Sequence, residues 1–434
     1  MNKKLIRIIS ALMVMITAIN ANNIVKKEKM EDVTNTQNSK VLCVMLNVDN
    51  SPFNKEHDEK YYYDQLFGEN SAALKNYIYN QSNGKYVISP ADTINTKYPG
   101  IIKLDVKATP KYATENEEDY STIYKFVKHE LNNIEDKVDW KAIDKNNDKR
   151  FVRHPLSKLV NADDELSIIT VISGESITDK VIPNKIESWA HSTQLLTKIN
   201  DYIFNQPIAI SSEYTVGPLN YATIAHEFLH DLGARDMYND DYSIKFWSVM
   251  DTSGGKRPYE EYQTPTPLDP LHKIFFGWVK PKKIKFNEYD IADMDFNKNE
   301  IPYLVDDYDP NIIYLFDYHD FTDPNQKSLY EYGVEGDGLT IWKVNKKEAK
   351  RDWYLGEYIK PDHMINSKGK GTAMEVIIFD KPQFQNQIGA YIKPHDEVYV
   401  NNTYRTSISE KHIHITSLKR LYDNCKYEGN YHSR

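Results

Sequence analysis

The run AHEFLHDLGARD at residues 225–236 constrains this chain more than any other segment, because it predicts a helix that ends at a defined point. Ile224, Phe228 and Leu232 recur at helical spacing and form an apolar stripe that can bury one face of that helix. Gly233 follows directly, where helices commonly end in a left-handed conformation that glycine adopts without steric cost. We therefore expect the chain to turn back at Gly233.

The polar residues of this run have the spacing of a zinc site. In a helix over about residues 221 to 232, His226 and His230 lie one turn apart on the same face, so both imidazoles can reach one ion. Asp236, beyond the turn, is the natural third ligand, which leaves the one open position that a catalytic zinc requires. Glu227 can take the proton of a zinc-bound water, as in peptide hydrolysis. The run therefore predicts one catalytic Zn2+ ion.

Two less specific interpretations of the run stay open. A surface helix could carry two histidines whose hydrogen bonds are satisfied, and a purely structural zinc site could use the same spacing. The structural site is disfavoured because it would need a fourth protein ligand and would have no use for Glu227.

Length, charge and the first residues indicate an exported globular protein. The 434 residues suffice for two globular units, and a net charge of -9 argues against a general nucleic-acid binder. A basic start followed by an apolar run predicts a signal peptide over 1–21, and the polar residues 22–39 predict a leader or short propeptide. We expect a secreted, extracellular monomer without a nucleic-acid partner and without stable membrane insertion after signal cleavage.

Strand and helix signals alternate over the first part of the chain, and strands dominate afterwards. Val41–Val48 and Leu166–Ile172 are dense apolar runs that predict buried strands, while apolar positions within residues 117–135 recur at helical spacing. This alternation favours an α/β core. We predict a catalytic domain over 40–280 and a β-rich C-terminal domain over 281–434.

The chain resembles the metzincin-like proteases, which share a His-Glu-x-x-His-x-x-Gly-x-x-His/Asp run followed by a methionine-containing turn. Phe246–Gly254, FWSVMDTSG, looks like that turn, with Met250 as its methionine. More narrowly, the chain is similar to the secreted immune-inhibitor-A-like metallopeptidases, because Gly233, Asp236 and Tyr238 match that family's Gly-x-x-Asp-x-Tyr pattern. The resemblance implies an α/β metzincin-like catalytic domain followed by a C-terminal β-rich domain.

The resemblance adds two candidate residues outside the zinc run. The family tends to show a Trp-x-His segment upstream, here Trp189–His191, so His191 is a candidate cleft residue, with a packing or hydrogen-bonding histidine as the alternative. In some metzincins a tyrosine after the methionine turn steadies the transition state. Residues 251 and 252 are Asp and Thr here, so Tyr238 is the closer candidate for that role.

Two further features of the sequence allow more than one interpretation. Asp144, Asn146 and Asp148 occupy alternate positions of a polar loop, a spacing that can converge side-chain oxygens on Ca2+, and a solvated charged turn is the alternative. The two cysteines, Cys43 and Cys425, could pair in an oxidising compartment. Otherwise Cys43 is a buried strand residue.

Together these features predict a secreted zinc-dependent endopeptidase that hydrolyses the peptide bonds of extracellular proteins or peptides. We expect the substrate to lie extended along a sheet edge. A secreted binding protein or adhesin with a vestigial metal site is the rival, and the intact Glu227 argues against it. A zinc-dependent hydrolase of other bonds, such as a deacylase, is a second alternative.

Overall fold

The structure of the protein is a computed structural model, and parts of the chain lie outside the residues that it describes. The predicted signal peptide, the leader up to residue 36, Tyr238 and Cys425 all lie outside them. No helix in the described part is long and apolar enough to cross a membrane. The described residues are 37–69, 73–115, 118–153, 165–174, 184–186, 188, 190–213, 221–237, 248–251, 265–287, 291–295, 297–319, 338–345, 374–376, 397–399, 404–409 and 412–417.

A seven-stranded mixed sheet forms the centre of the first part of the chain. Its strands are β1 (Gln37–Val48), β2 (Tyr86–Pro90), β3 (Ile101–Val106), β4 (Arg150–Val152), β5 (Leu166–Ile172), β6 (His191–Ile199) and β7 (Tyr202–Ser212). β1 pairs in parallel with β2, β3 and β5, and β7 pairs in parallel with β5 and β4. β6 is the antiparallel member, and it pairs with β7.

Both faces of this sheet are buried, which explains its continuous apolar runs. Successive residues of β1 alternate between two core clusters. Val41, Cys43 and Met45 belong to the first cluster, and Leu42 and Val44 belong to the second. A strand that is buried on both faces needs a layer of helices on each side.

Helices supply those two layers. The α-helices are α1 (Glu59–Phe67), α2 (Leu74–Gln81), α3 (Tyr120–Leu131), α4 (Trp140–Ile143), α5 (Tyr221–Asp231) and α6 (Pro270–Phe275). Side chains of α1, α2 and α5 pack in the first cluster, whereas side chains of α3 and α4 pack in the second. The α/β core expected from the sequence is therefore present as a sheet between two helical layers.

The helix α3 illustrates how the sequence specifies these layers. Asp119 caps its first turn by accepting a hydrogen bond from the backbone N–H of Thr122 at 3.2 Å. Full burial of a large apolar side chain contributes about 1.5–3 kcal/mol to the stability of the folded protein. The side chains that α3 buries lie at helical spacing, at Ile123, Phe126, Val127 and Leu131.

The described residues after 280 form two sheets and contain no helix, in agreement with the expected β-rich character. One sheet has the order β13-β12-β11-β10-β8 and the other β14-β15-β16-β9. The strands are β8 (Lys280–Lys283), β9 (Ile291–Asp295), β10 (Glu300–Val305), β11 (Ile312–His319), β12 (Gly338–Asn345), β13 (Met374–Val376), β14 (Glu397–Tyr399), β15 (Tyr404–Ser409) and β16 (His412–Ser417).

The five-stranded sheet shares a core with the first part of the chain. Ile301, Leu315 and Trp342 belong to the same buried cluster as Cys43. Alternate residues of the same strands, including Phe316, pack instead in a third cluster with residues of the four-stranded sheet. Because buried contacts cross residue 280, the boundary between the domains 40–280 and 281–434 stays a prediction.

Cys43 is a free thiol in the middle of β1, with no exposed surface. Burial raises the pKa of this thiol to about 12. The thiolate is the reactive form of cysteine, so a buried thiol with a raised pKa is inert.

We therefore predict that Cys43 resists thiol reagents in the native protein. A Cys425→Ser variant should not react with dithionitrobenzoate in native buffer and should react with one equivalent after unfolding in guanidinium. The substitution removes the second thiol, so the signal reports Cys43 alone. Rapid stoichiometric labelling of the native variant would contradict the burial, and unfolded wild-type protein without any reactive thiol would show that the two cysteines pair.

Candidate metal centre

The helix α5 holds the two histidines in place because one of its faces is buried and because the chain reverses direction directly after it. Phe228 and Leu229 have no exposed surface and pack in the first core cluster. Two residues after the helix, Gly233 has a φ of 101°, in the left-handed region that favours glycine. The backbone N–H of Ala234 donates to the carbonyl of Leu229 at 2.9 Å, which closes the turn. The reversal returns residue 236 to the polar side of the helix.

Three ligand atoms meet at this point. Nε2 of His226 and Nε2 of His230 are 3.0 Å apart. Oδ1 of Asp236 lies 3.1 Å from the first nitrogen and 3.2 Å from the second. Within the described ranges these residues are the one group of three or more His, Cys, Asp or Glu side chains whose ligand atoms lie within 4.8 Å of one another.

Hydrogen bonds to backbone carbonyls orient both imidazoles. Nδ1 of His226 lies 2.7 Å from the carbonyl oxygen of Val249, and Nδ1 of His230 lies 2.9 Å from that of Ala234. A carbonyl oxygen can only accept, so the hydrogen-bond network assigns a proton to each Nδ1. In the neutral ring each Nε2 then carries the lone pair, and this is the tautomer of a histidine that binds a metal through Nε2.

The arrangement fits a zinc-sized cation. A tetrahedral ion with bonds of about 2.0–2.1 Å holds its ligand atoms roughly 3.3 Å apart. The separations of 3.0, 3.1 and 3.2 Å among His226, His230 and Asp236 are close to that value. Two imidazoles and one carboxylate are a donor set of catalytic zinc sites.

The ionisation of the three groups is coupled. Burial alone would lower the pKa of both histidines, but the carboxylate of Asp236 outweighs it and raises the pKa of His230 to about 9. The pKa of His226 is also raised above its usual value. Burial would raise the pKa of Asp236, yet the two imidazoles hold it well below its usual range. The three groups thus stabilise positive charge between them.

Glu227 follows the first histidine on α5 and is 5% exposed. Its Oε2 is buried and has no hydrogen-bond partner among the described residues. Burial raises the pKa of Glu227, although the two imidazoles act in the opposite direction. A buried carboxylate oxygen without a partner is costly, and such a group is suited to accept a proton.

The turn that contains Met250 contacts both ends of the ligand set. Met250 is fully buried, and its carbonyl accepts a hydrogen bond from the backbone N–H of Met237 at 2.7 Å. The preceding carbonyl, that of Val249, is the partner of His226 Nδ1. One short segment therefore orients the first histidine and the residue that follows Asp236.

His191 is the first residue of β6, and this end of the strand lies close to α5. Its ring centroid lies 4.5 Å from that of Tyr120. The hydroxyl of the next residue, Ser192, donates to Oδ1 of Asp231 on α5 at 3.0 Å. Asp231 lies one turn beyond Glu227 on the same helix, so this end of β6 runs along the side of α5 that carries Glu227. The assignment of His191 to the cleft stays a prediction.

The residues predicted to bind calcium lie together in one turn after α4, and backbone groups already use their oxygens. Oδ1 and Oδ2 of Asp144 accept hydrogen bonds from the N–H groups of Asp148 and Lys149 at 3.2 and 3.1 Å. Oδ1 of Asn146 accepts from the N–H of Asp148 at 2.9 Å. These bonds shape the loop, and calcium binding stays a prediction.

A buried cluster behind the methionine turn, formed by Ser248, Asp269 and His272, was not expected from the sequence. The hydroxyl of Ser248 donates to Oδ2 of Asp269 at 2.7 Å, and Nδ1 of His272 lies 2.6 Å from the same oxygen. Asp269 followed by Pro270 is a recognisable helix start. This helix-start pattern does not predict a link to the candidate metal ligands, which lie more than 30 residues earlier in the chain.

A comparison with protein families finds a match over the first part of the chain. The family model of the immune inhibitor A peptidase M6 catalytic domain matches residues 28–277. No curated protein matches the chain.

Two solved structures share limited similarity with the chain. Wild-type OgpA from Akkermansia muciniphila is 13% identical, with a TM-score of 0.32 over 74% of this chain and 87% of that chain. Catalytically inactive OgpA from the same organism, in complex with an O-glycopeptide (glycodrosocin) substrate, is 10% identical, with a TM-score of 0.33 over 89% and 95% of the two chains. These TM-scores are too low to support an argument about function.

The family match is the finding that identifies the protein. It spans residues 28–277 of 434, more than half of the chain, and contains the helix with both histidines and Glu227. The chain therefore belongs to the immune inhibitor A peptidase M6 family and is a metallopeptidase.

Proposed function

We propose that this metallopeptidase is a zinc-dependent endopeptidase with a metzincin-like catalytic domain. His226, His230 and Asp236 hold the zinc ion in this proposal, and Glu227 is the general base. One observation carries it. Three ligand atoms converge within 4.8 Å of one another beside a buried oxygen of Glu227 that has no hydrogen-bond partner in the described part of the chain.

In the proposed chemistry the protein carries one proton, in two steps, from the attacking water to the leaving amine. Zinc, when bound, supplies Lewis acidity that polarises the scissile carbonyl and acidifies the attacking water. Glu227 accepts the proton of that water as the new C–O bond forms, and returns it to the amine as the C–N bond breaks.

The edge of β6 is the proposed track for an extended substrate. β6 pairs with β7 on one side, and no described strand pairs with its other side. The N–H and C=O of Leu196 face that open side, because they bond to the side chains of Tyr124 and Lys128 on α3. By the two-residue period of a strand, the backbone groups of Ser192 and Gln194 face the same way. They can bind a peptide backbone near α5.

We also propose that the enzyme is exported and acts outside the cell, as a monomer, on proteins or peptides. The support is the basic start of the sequence and the apolar run that follows it, which together have the form of a signal peptide over 1–21. The role of residues 22–39 as a leader or short propeptide belongs to the same proposal.

Glu227→Gln should abolish peptide hydrolysis and leave zinc bound, because the amide keeps the size of the side chain and cannot accept a proton. We expect kcat/KM on a fluorogenic casein peptide to fall about 100-fold or more. The exposed residue Glu135 offers a matched control, and Glu135→Gln should retain wild-type activity. Unchanged activity of Glu227→Gln would remove this residue from the mechanism. A folded, zinc-loaded wild type without turnover would favour a binding protein or a hydrolase of other bonds.

Removal of the metal should remove the activity. Elemental analysis should find one zinc ion per chain, dialysis against a chelator should eliminate zinc and turnover, and added zinc should restore both. Asp236→Ala should lose zinc affinity, and Asp201→Ala, at an exposed aspartate, should keep it. Two imidazoles and a carboxylate also suit iron(II), so iron in place of zinc would contradict the proposal.

Export is tested with the native N-terminal sequence in a secreting host. Mass spectrometry of the medium should find a protein that lacks residues 1–21. Val14→Arg, which interrupts the apolar run, should leave the protein inside the cell. Retention of the wild type inside the cell, with an intact first residue, would refute the signal-peptide assignment.

A further inference from the structure

The cluster of Ser248, Asp269 and His272 lies directly behind the metal centre and has no role in the chemistry described above. All three side chains are buried, with exposed fractions of 1%, 1% and 0%. We propose that Asp269 and His272 are positioning residues that hold the loop of Asp236 in its metal-binding geometry and thereby set the affinity for zinc. This inference rests on the proposed zinc site.

Asp269 and His272 are held close together because both lie at the start of α6. Oδ1 of Asp269 accepts the backbone N–H of His272 at 3.0 Å, so Asp269 is the N-cap of the helix. Its other oxygen, Oδ2, lies 2.6 Å from Nδ1 of His272 and accepts the hydroxyl of Ser248 at 2.7 Å. One carboxylate thus fixes a helix start, an imidazole ring and a residue of the methionine turn.

The far nitrogen of the ring reaches the loop of the third ligand. The backbone N–H of Arg235 donates to Nε2 of His272 at 3.0 Å. A backbone N–H can only donate, so Nε2 must present its lone pair and the ring must carry its proton on Nδ1. Asp269 accepts a hydrogen bond from Nδ1–H, which fixes both the tautomer and the orientation of the ring.

Asp236 is consequently anchored on both sides. Before it, the N–H of Arg235 is held by His272. After it, the N–H of Met237 donates to the carbonyl of Met250 at 2.7 Å. The N–H of Met250 in turn donates to the hydroxyl of Ser248 at 3.1 Å, and Ser248 is bonded to Asp269. Both anchors of the ligand loop therefore lead back to the same buried carboxylate.

The charge of Asp269 supports this arrangement. The backbone N–H and the Nδ1–H of His272 and the hydroxyl of Ser248 all donate to Asp269, and such donors favour the ionised form of a carboxyl group. An ionised carboxylate accepts stronger hydrogen bonds than a neutral acid.

Groups that hydrogen-bond a metal ligand typically change metal affinity by about 10–100-fold when they are replaced. A bond to the residue directly before Asp236 acts in the same direction, because it fixes the backbone that carries the ligand. An ordinary buried hydrogen bond is worth about 1 kcal/mol of stability and leaves the ligands where they are. The two effects are separable by experiment.

The test compares His272→Asn, His272→Gln and Tyr77→Phe in the full chain. Asparagine can reproduce the donor at Nδ1 but does not reach Arg235, whereas glutamine carries an acceptor near the position of Nε2. Tyr77→Phe removes a buried hydrogen bond of 2.8 Å to the carbonyl of Thr266, on the same segment but away from Arg235. Zinc dissociation constants are measured by competition with a chromophoric chelator, and melting temperatures are measured on the metal-free proteins.

We expect His272→Asn to bind zinc about 10–100-fold more weakly than the wild type, with partial recovery in His272→Gln. Tyr77→Phe should melt at a lower temperature and bind zinc like the wild type. A zinc affinity of folded His272→Asn within twofold of the wild type would overturn the proposal. If the wild type itself binds no zinc, the proposed zinc site fails first and this inference falls with it.

A second measurement is made on the wild-type protein and uses a variant only to identify the signal. Nitrogen-15 NMR of wild-type histidines should find His272 with a protonated Nδ1 and an unprotonated Nε2, in both zinc-loaded and chelated protein. The spectrum of His272→Gln identifies the signal. A proton on Nε2 would be incompatible with the bond from Arg235, and the proposal would fail even if His272→Asn did not fold.

Discussion

Two imidazole nitrogens and one carboxylate oxygen lie 3.0 to 3.2 Å apart, a distance at which electron-rich atoms repel one another unless positive charge lies between them. Helical spacing brings the two histidines together without further cost. The carboxylate of Asp236 arrives only because the chain reverses at Gly233, whose φ of 101° few other residues tolerate. Much of the surrounding structure serves to keep these atoms together.

That support comes from the backbone as well as from side chains. Carbonyl groups of Val249 and Ala234 orient the two rings, so each ring can present only one nitrogen to the site. The packing of α5 against the sheet restrains the helix itself, because its apolar face is part of the larger core cluster. Ligand side chains that are held by several backbone groups have little freedom to lose when a metal binds, which favours tight binding.

The sequence predicts those parts of the molecule that depend on local periodicity. The apolar stripe of α5, the stop at Gly233 and the continuous run in β1 are read directly from residue spacing, and the structure has them where expected. The sheet register and the antiparallel placement of β6 depend on contacts between distant segments, and no local pattern encodes them. The same holds for the bond between Arg235 and His272. The backbone hydrogen bonds that the Asp144 carboxylate accepts within its own loop are likewise seen only in the structure.

The core shared across residue 280 has a consequence for how the molecule responds to damage. Trp342 and Leu315 lie in the cluster that also contains Phe228 of α5. Loss of the later strands would leave apolar side chains on the first part of the chain facing water. A nick or truncation there would release no autonomous hydrolytic fragment, and would loosen the helix that carries both histidines. Integrity of the strands that carry Leu315 and Trp342 thereby supports chemistry at a helix about a hundred residues earlier in the chain.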